Sequence, residues 1–236
     1  MNAVHGYLKI IIGPMYSGKS SEIIKLYKYN QIAQITTLVV NYDEDERYDN
    51  TKLSTHDKIM IPCLKLHKSI DILTYPELSE IKSVIIDEAQ FFDDLYITTV
   101  KLLELNKTIY VCGLDGDFQM KKFGHILDII PLADEVDKKQ ALCAICRNGK
   151  KAPFTKRLSS ENMQKLIGSD NYLPVCRMCH QIDTSDSSSD RLTITIPPGL
   201  NPGETIAVRD PSTGKQYSVT IPANAKPGHT VQVTVS

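Results

Sequence analysis

The chain has 236 residues, 42% of them hydrophobic, with a formal net charge of -1 and six cysteines. That is enough for one domain with a well-buried core, or for one domain plus a small module, and the balanced charge excludes a global basic field that would draw in nucleic acid or an anionic membrane. No apolar run approaches the ~20 residues of a membrane span, and the first residues show no secretory signal, so the expectation is a soluble protein of the cytosol or nucleus whose cysteines are ligands or buried thiols.

Tyr7–Ile12 is a short, apolar, β-branched run that reads as a buried strand. Gly13-Pro14-Met15-Tyr16-Ser17-Gly18-Lys19-Ser20 follows and fits the pattern G-x-x-x-x-G-K-[ST] at every fixed position. Ile23, Ile24 and Tyr27 then recur at helical spacing. In a strand–turn–helix unit of this kind, backbone N–H groups and the positive end of the helix close around phosphate oxygens. Lys19 is expected to reach the β- and γ-phosphates and the Ser20 hydroxyl to ligate Mg²⁺. An ordinary glycine turn would match the pattern by chance, but not with both flanking elements in place.

Thr37–Asn41 reads as the second strand and opens into a polar loop, Tyr42 to Asp57, that carries Asp43, Glu44, Asp45, Glu46 and Arg47. The alternation in Ile59–Leu64 suggests a further strand. Ser83–Ile86 is a clear strand ending at Asp87-Glu88. Tyr96–Leu105 is expected to be a helix. Thr108–Gly113 is another buried strand, ending in the loop Leu114–Gln119. Strands alternating with helices predict an α/β, P-loop (RecA-like) parallel sheet with helices on both faces. Ligands in such sheets lie beyond the carboxyl ends of the strands, so the phosphate loop, Asp87-Glu88 and Asp115–Phe118 can converge.

Asp87 at the end of a hydrophobic strand is expected to hold Mg²⁺, directly or through water. Glu88 is then free as a base, either for a water, as in an ATPase, or for a substrate hydroxyl, as in a kinase. The plain alternative is a pair of solvated acids opening a loop.

Cys143-x-x-Cys146 and Cys176-x-x-Cys179 can bring four thiolates to one Zn²⁺. The intervening residues 147–175 exceed the spacing of about 15–20 common in zinc ribbons, which predicts a loop tied at its base. A filled four-ligand shell makes such a zinc structural. His180 adjoins the last cysteine and could replace it as a ligand. The alternatives are four buried thiols or one redox pair. Cys63 and Cys112 sit in apolar strands and read as core residues. Asp183–Asp190 is a Ser/Asp linker by composition. Beyond it, Ile196–Val208 and Ile221–Val233 form an internal repeat of alternating strands around a Pro/Gly turn, which predicts a small antiparallel all-β module.

From Tyr7 to His180 the chain resembles the zinc-containing (type II) thymidine kinases shared by animals, many bacteria and poxviruses, and the poxvirus and animal members most. The resemblance is carried by the phosphate loop, Asp45-Glu46-Arg47-Tyr48, Ser54-Thr55-His56-Asp57, Asp87-Glu88-Ala89-Gln90-Phe91-Phe92, Leu114-Asp115-Gly116-Asp117-Phe118-Gln119, Thr155-Lys156-Arg157-Leu158 and Tyr172-x-x-Val175-Cys176-Arg177-x-x-Cys179. It implies transfer of the γ-phosphoryl group of ATP to the 5′-hydroxyl of thymidine, with Mg²⁺ and a structural Zn²⁺. Glu88 matches the family's base, assisted by Lys19 and Arg47. Gly13 to Ser20, Asp45 to Arg47 and Asp87 to Gln90 match the nucleotide and Mg²⁺ region. Phe118 matches an aromatic residue against the thymine ring. Gln164, Lys165, Leu166, Ile167 and Gly168 match a lasso that grips the base through backbone groups, and Tyr172 a further substrate contact. Phe91, with Met15, Leu114 and Phe123, is plausible lining for the base pocket or plain core. The family also implies a cytoplasmic homotetramer subject to feedback by thymidine triphosphate.

The expected organisation is a P-loop ATP-binding domain over residues 1–140, a zinc-tied lasso subdomain over 141–182, the linker over 183–190 and the β-repeat module over 191–236. Ala89 stands where many relatives have Gly, which matters only if the backbone there is strained. The alternative reading is a nucleic-acid-stimulated P-loop ATPase or helicase-like fragment. Asp87-Glu88-Ala89-Gln90 looks like a helicase box, but the chain has room for one ATPase lobe and no basic excess for a phosphate backbone. A third reading is a non-catalytic scaffold, against which Lys19, Ser20, Asp87 and Glu88 all stand.

Overall fold

Tyr7, Leu8, Lys9, Ile10, Ile11 and Ile12 form the first strand, β1, and their alternation decides both faces of the sheet. Leu8, Ile10 and Ile12 point into one apolar cluster, and Ile11 into a second on the opposite face. A strand buried on both sides is what a parallel sheet with helices above and below requires. The computed structural model describes residues 5–43, 52–54, 60–158, 164, 171–181, 190–195, 203–209, 216–221, 228 and 230–235.

The chain continues through α1 (Lys19–Ile32), β2 (Thr37–Tyr42), β3 (Lys52–Ser54), β4 (Met60–Pro62), β5 (Leu64–Leu66), β6 (Ser83–Ile86), α2 (Leu95–Glu104), β7 (Thr108–Gly113) and β8 (Glu135–Lys138). Six of these strands form one sheet in the order β5-β2-β6-β7-β1-β8, and every pairing in it is parallel. On one face, Ile23 and Ile24 of α1 pack on Ile11, Val39, Ile85 and Cys112. On the other, Leu95 and Leu102 of α2 join Leu8, Ile10, Val84, Ile86, Ile109 and Val111, with Ile72 and Ile126 from two short 3-10 helices. Each fully buried aliphatic side chain of this kind contributes about 1.5–3 kcal/mol relative to exposure. Asn30 is a buried polar exception on α1. Its Nδ2 donates to Thr37 Oγ1 at 3.0 Å and to Ser83 Oγ at 3.1 Å, so it fixes α1 over β2 and β6.

The strand order places the chemistry. β1 and β6 flank β7 on either side. The phosphate loop after β1, Asp87-Glu88 after β6 and Leu114–Gln119 after β7 therefore leave three neighbouring strands at the same edge.

The expected apolar stretch Ile59–Leu64 is two strands broken at Cys63. β4 pairs with β3, and β5 extends the main sheet beside β2. The expected helix Tyr96–Leu105 begins and ends one residue earlier. β8 has no apolar run to announce it. Its Glu135 accepts from Lys9 Nζ at 2.7 Å and from the Tyr7 hydroxyl at 3.0 Å, giving the sheet the charged edge that discourages pairing with another chain.

Beyond β8 come β9 (Ala141–Leu142), β10 (Lys151–Ala152), β11 (Phe154–Arg157), β12 (Tyr172–Val175) and α3 (Arg177–Gln181). β9 pairs with β10 and β11 with β12, both antiparallel. They enclose a small core of Ala141, Ala152, Val175 and the cysteines.

The chain divides into two compact units, Met1–Gln181 and Ile182–Ser236. The second holds β13 (Asp190–Thr195), β14 (Thr205–Arg209), β15 (Gln216–Thr220) and β16 (Thr230–Val235). Asp190, expected as the last linker residue, is the first residue of β13. The two copies of the repeat pair with each other. β14 pairs with β15, and β13 with β16. Gly203 N donates to Ile221 O at 2.9 Å and Ile221 N to Glu204 O at 2.8 Å, joining the end of the first turn to the start of the second copy. No helix among the described residues is long and apolar enough to cross a membrane.

Candidate active site

The phosphate loop leaves β1 through Gly13, whose φ of 147° lies in the region that favours glycine. A Cβ there would sit 2.5 Å from the carbonyl oxygen of Lys139, so the position also needs the missing side chain. Gly18, at φ 82°, delivers the chain into α1, leaving the first N–H groups of the helix directed at the loop. Lys19 Nζ donates to Pro14 O at 2.8 Å, and Ser17 Oγ donates to the same carbonyl at 2.8 Å. The lysine is thus folded back across the cradle it would share with a phosphate. Met15 N donates to Thr155 Oγ1 at 3.1 Å, which ties the loop to β11.

Across β7, Asp87 is buried and its N–H donates to Val40 O at 2.8 Å, prolonging the β6 ladder by one bond. Asp87 Oδ1 accepts from Glu88 N at 2.9 Å. Glu88 lies in the left-handed region, at φ 51° and ψ 38°, a costly conformation for glutamate that is concentrated at functional positions. Its carboxylate accepts from Gln90 Nε2 at 2.6 Å, while Gln90 Oε1 accepts from Leu114 N at 2.9 Å. Gln90 is buried and joins the ends of β6 and β7 with Glu88 held between them. Gly124 makes room for this, since a Cβ at its φ of 55° would collide with the Gln90 carbonyl. The left-handed residue is Glu88 and not Ala89, so the methyl of Ala89 adds no backbone strain.

Cys112, in β7, is buried among these groups. Burial, then the Asp87 carboxylate, push its thiol well above the ordinary range, while the Lys19 ammonium opposes them and Glu88 adds to them. One buried atom therefore feels the lysine of the phosphate loop and both carboxylates of the strand end.

The other end of the site is built on the loop after β7. Asp117 is buried and holds the loop in shape, since its Oδ1 accepts from Gln119 N and Lys121 N, each at 2.9 Å. Its Oδ2 accepts from Gln164 Nε2 at 2.7 Å. Phe118 is half-buried, and the guanidinium of Arg157 lies 3.8 Å from the centre of its ring. A desolvated contact of this kind is worth roughly 2 kcal/mol or more. Arg157, on β11, also donates to the Tyr172 hydroxyl through Nε at 3.1 Å and Nη2 at 2.6 Å, and to Gln164 O through Nη2 at 3.1 Å. Phe91 packs edge-on to Phe123, with ring centres 5.5 Å apart, and against Tyr42 at 5.2 Å.

Cys143, Cys146, Cys176 and Cys179 place their sulfur atoms within 4.8 Å of one another, close enough for one tetrahedral metal ion. The donor set suits Zn²⁺. Burial raises the Cys143 thiol, but backbone N–H groups of Cys146, Cys176 and Ile145 outweigh it and bring the group down to about 6. Cys179 is pushed up to about 12 by burial and by its hydrogen bonds with Cys176 and Cys143. His180 lies outside the group of four sulfur atoms. Its Nε2 meets the carbonyl of Phe118 at 2.8 Å, which links α3 to the loop after β7.

Of the residues singled out from the sequence, the phosphate loop, Asp87 to Phe91, Phe118, Gln164, Tyr172 and the four cysteines are all within the described residues. Asp45, Glu46, Arg47, Lys165, Leu166, Ile167 and Gly168 lie outside them. Gln90 turns to Glu88 and Leu114, and the Tyr172 hydroxyl accepts from Arg157. Sequence reasoning gives Asp117 and Arg157 no role beyond membership of their motifs. Their signal is faint, since a charged residue in a sequence is more often on the surface than in a core.

A family model for thymidine kinase matches residues 6–180. The chain is 42% identical over 176 residues to the thymidine kinase of Myxoma virus (strain Uriarra), covering 74% of this chain and 96% of that one. It is 41% identical to the thymidine kinase of Variola virus, covering 74% and 97%. To the cytosolic thymidine kinase of Gallus gallus it is 40% identical, covering 74% of this chain and 77% of that one.

Proposed function

This chain belongs to the thymidine kinase family, and from that membership we propose that it transfers the γ-phosphoryl group of ATP to the 5′-hydroxyl of thymidine. The observation that carries the reading is the strand order β6-β7-β1, which sets Asp87-Glu88, the Phe118 loop and the Lys19 phosphate loop at the ends of three neighbouring strands. Gly13 to Ser20 cradle the triphosphate with backbone N–H groups, and Lys19 exchanges Pro14 O for phosphate oxygens. Ser20 and Asp87 are the residues that would hold Mg²⁺, which supplies charge neutralisation at the β- and γ-oxygens when bound. Glu88, aimed by Gln90, takes the proton of the 5′-hydroxyl. The freed oxygen bonds to the γ-phosphorus, the bond to the bridging oxygen breaks, and ADP leaves with that electron pair. Asp45, Glu46 and Arg47 complete the phosphate end, with Arg47 steadying developing charge. Phe118 stacks on the base. Gln164 to Gly168 grip its edge, and Phe91 lines the pocket. The four cysteines would hold a structural Zn²⁺, which when bound ties together the two ends of residues 147–175. A cytoplasmic homotetramer with feedback by thymidine triphosphate completes the proposal.

ATP consumption by the purified protein with Mg²⁺, measured alone, with thymidine and with single-stranded DNA, tests the reading. Turnover is expected with thymidine only, yielding thymidine monophosphate. Turnover that ignores thymidine and rises with DNA would replace the kinase reading with a DNA-stimulated ATPase.

We also assign residues 1–140 to ATP binding, 141–182 to the nucleoside and 183–190 to a linker, leaving 191–236 as a separate module. Truncation after Asp183 is expected to leave kcat and both KM values within about twofold, because the second unit forms its own ladders. A catalytically dead but folded truncation would make the module part of the enzyme.

A further inference from the structure

β11 meets the phosphate loop, the end of α3 and the loop after β7. Thr155 holds the phosphate loop through Met15 N. Lys156 Nζ donates to Cys179 O at 3.1 Å and His180 O at 3.3 Å, at the end of α3 beside the cysteines. Arg157 meets Phe118, Tyr172 and Gln164 at once. Its guanidinium is buried, with the residue only 5% exposed, and it faces Tyr172 directly across the β11–β12 ladder.

These contacts have one geometric effect. Phe118 is on a loop, and a ring on a loop has rotamers to lose when a flat ligand stacks on it. A planar cation against one face removes that freedom beforehand, and the base would stack on the opposite face. The same fork holds the carbonyl of Gln164, whose side chain is anchored on Asp117 of the Phe118 loop. Phe118 and Gln164 are thereby held by one side chain.

We propose that Arg157 is the positioning residue for the nucleoside base: it sets the plane of Phe118 and the placement of Gln164, and so determines affinity for a planar pyrimidine without touching the phosphoryl group. This rests on the reading of Phe118 as the surface on which the base stacks. A lysine cannot substitute, because its point charge has no planar fork.

The test is steady-state kinetics on Arg157→Met, Arg157→Lys, Tyr172→Phe and Phe118→Leu, with thymidine and ATP varied separately and melting temperatures recorded. Arg157→Met is expected to raise the thymidine KM about 3–10-fold, the cost of ordering a freed side chain when the base binds. The KM for ATP stays unchanged and kcat moves little. Arg157→Lys does not restore the thymidine KM. Tyr172→Phe raises it less, and adds little on top of Arg157→Met, because the two side chains share one contact. A thymidine KM untouched by Arg157→Met while Phe118→Leu raises it would overturn the role of Arg157 and leave the stacking reading standing. A thymidine KM untouched by Phe118→Leu would remove the stacking reading and this inference with it. Equal losses for both substrates with a lowered melting temperature would make Arg157 a purely structural residue. Should Arg157→Met not fold, Arg157→Lys and Tyr172→Phe carry the same decision.

Discussion

Glu88→Gln is expected to lower kcat by about 10²–10⁴-fold, the usual contribution of a positioned general base, with the affinity for ATP unchanged. The substitution keeps the size of the side chain and its place between β6 and β7. It removes the lone pair that receives the proton. Gln90 also constrains the outcome. Its Nε2 donates to Glu88 Oε2 at 2.6 Å, so a glutamine at this position must turn its own carbonyl oxygen toward Gln90. Its NH₂ group then faces the substrate hydroxyl, where an acceptor is needed. The left-handed backbone is as demanding for glutamine as for glutamate, so the melting temperature is expected to hold. Single-turnover kinetics with ATP and thymidine, beside calorimetric titration with ATP, make the comparison. A kcat within threefold of the parent would take Glu88 out of the base role.

Removal of the metal by chelation is expected to raise the thymidine KM at least tenfold, with ATP binding much less affected. The physical cause is a loop held at its base. The cysteine pairs lie at either end of residues 147–175, which contain β11, β12 and Gln164. His180, next to Cys179, meets the carbonyl of Phe118. The cluster thus supports the loop after β7 and the segment beside it. The phosphate loop is built on β1 and α1 and meets this region through Thr155. Zinc uptake must displace protons from Cys146, whose thiol is raised chiefly by its hydrogen bond with Cys143, and from Cys179, raised to about 12. Uptake therefore weakens as the pH falls. An unchanged thymidine KM after complete zinc removal, verified by metal analysis, would show that the nucleoside site stands without the ion.

The parts legible in the sequence were those with a local cause. β6 and β7 were bounded correctly because both faces of each strand are buried, which makes the apolar run continuous and its ends abrupt. The phosphate loop was legible because its glycines are required by backbone conformation. The cysteines were legible because two C-x-x-C pairs supply the four soft donors that a tetrahedral ion needs. What stayed hidden depends on distant neighbours. β8 is an edge strand of charged residues, and its partner β1 lies far back in the chain. Arg157 looks like a surface residue until Phe118, Gln164 and Tyr172 are brought around it. His180 looked like a spare ligand because sequence adjacency says nothing about the direction of a ring. The repeat was visible, but the pairing of one copy with the other was not, since turns specify only their own flanks.

The pairing of β13 with β16 has a mechanical consequence. Asp190 and Val235 are direct partners, so a chain entering at one and leaving at the other does so about one strand spacing apart. Such a module fits into a surface turn of a host protein as readily as it hangs from a terminus. Tension applied across those two points would open the ladder rung by rung, as a zip, instead of loading all its hydrogen bonds at once as a shear. The fold is therefore a cassette that is easily transplanted and easily pulled apart.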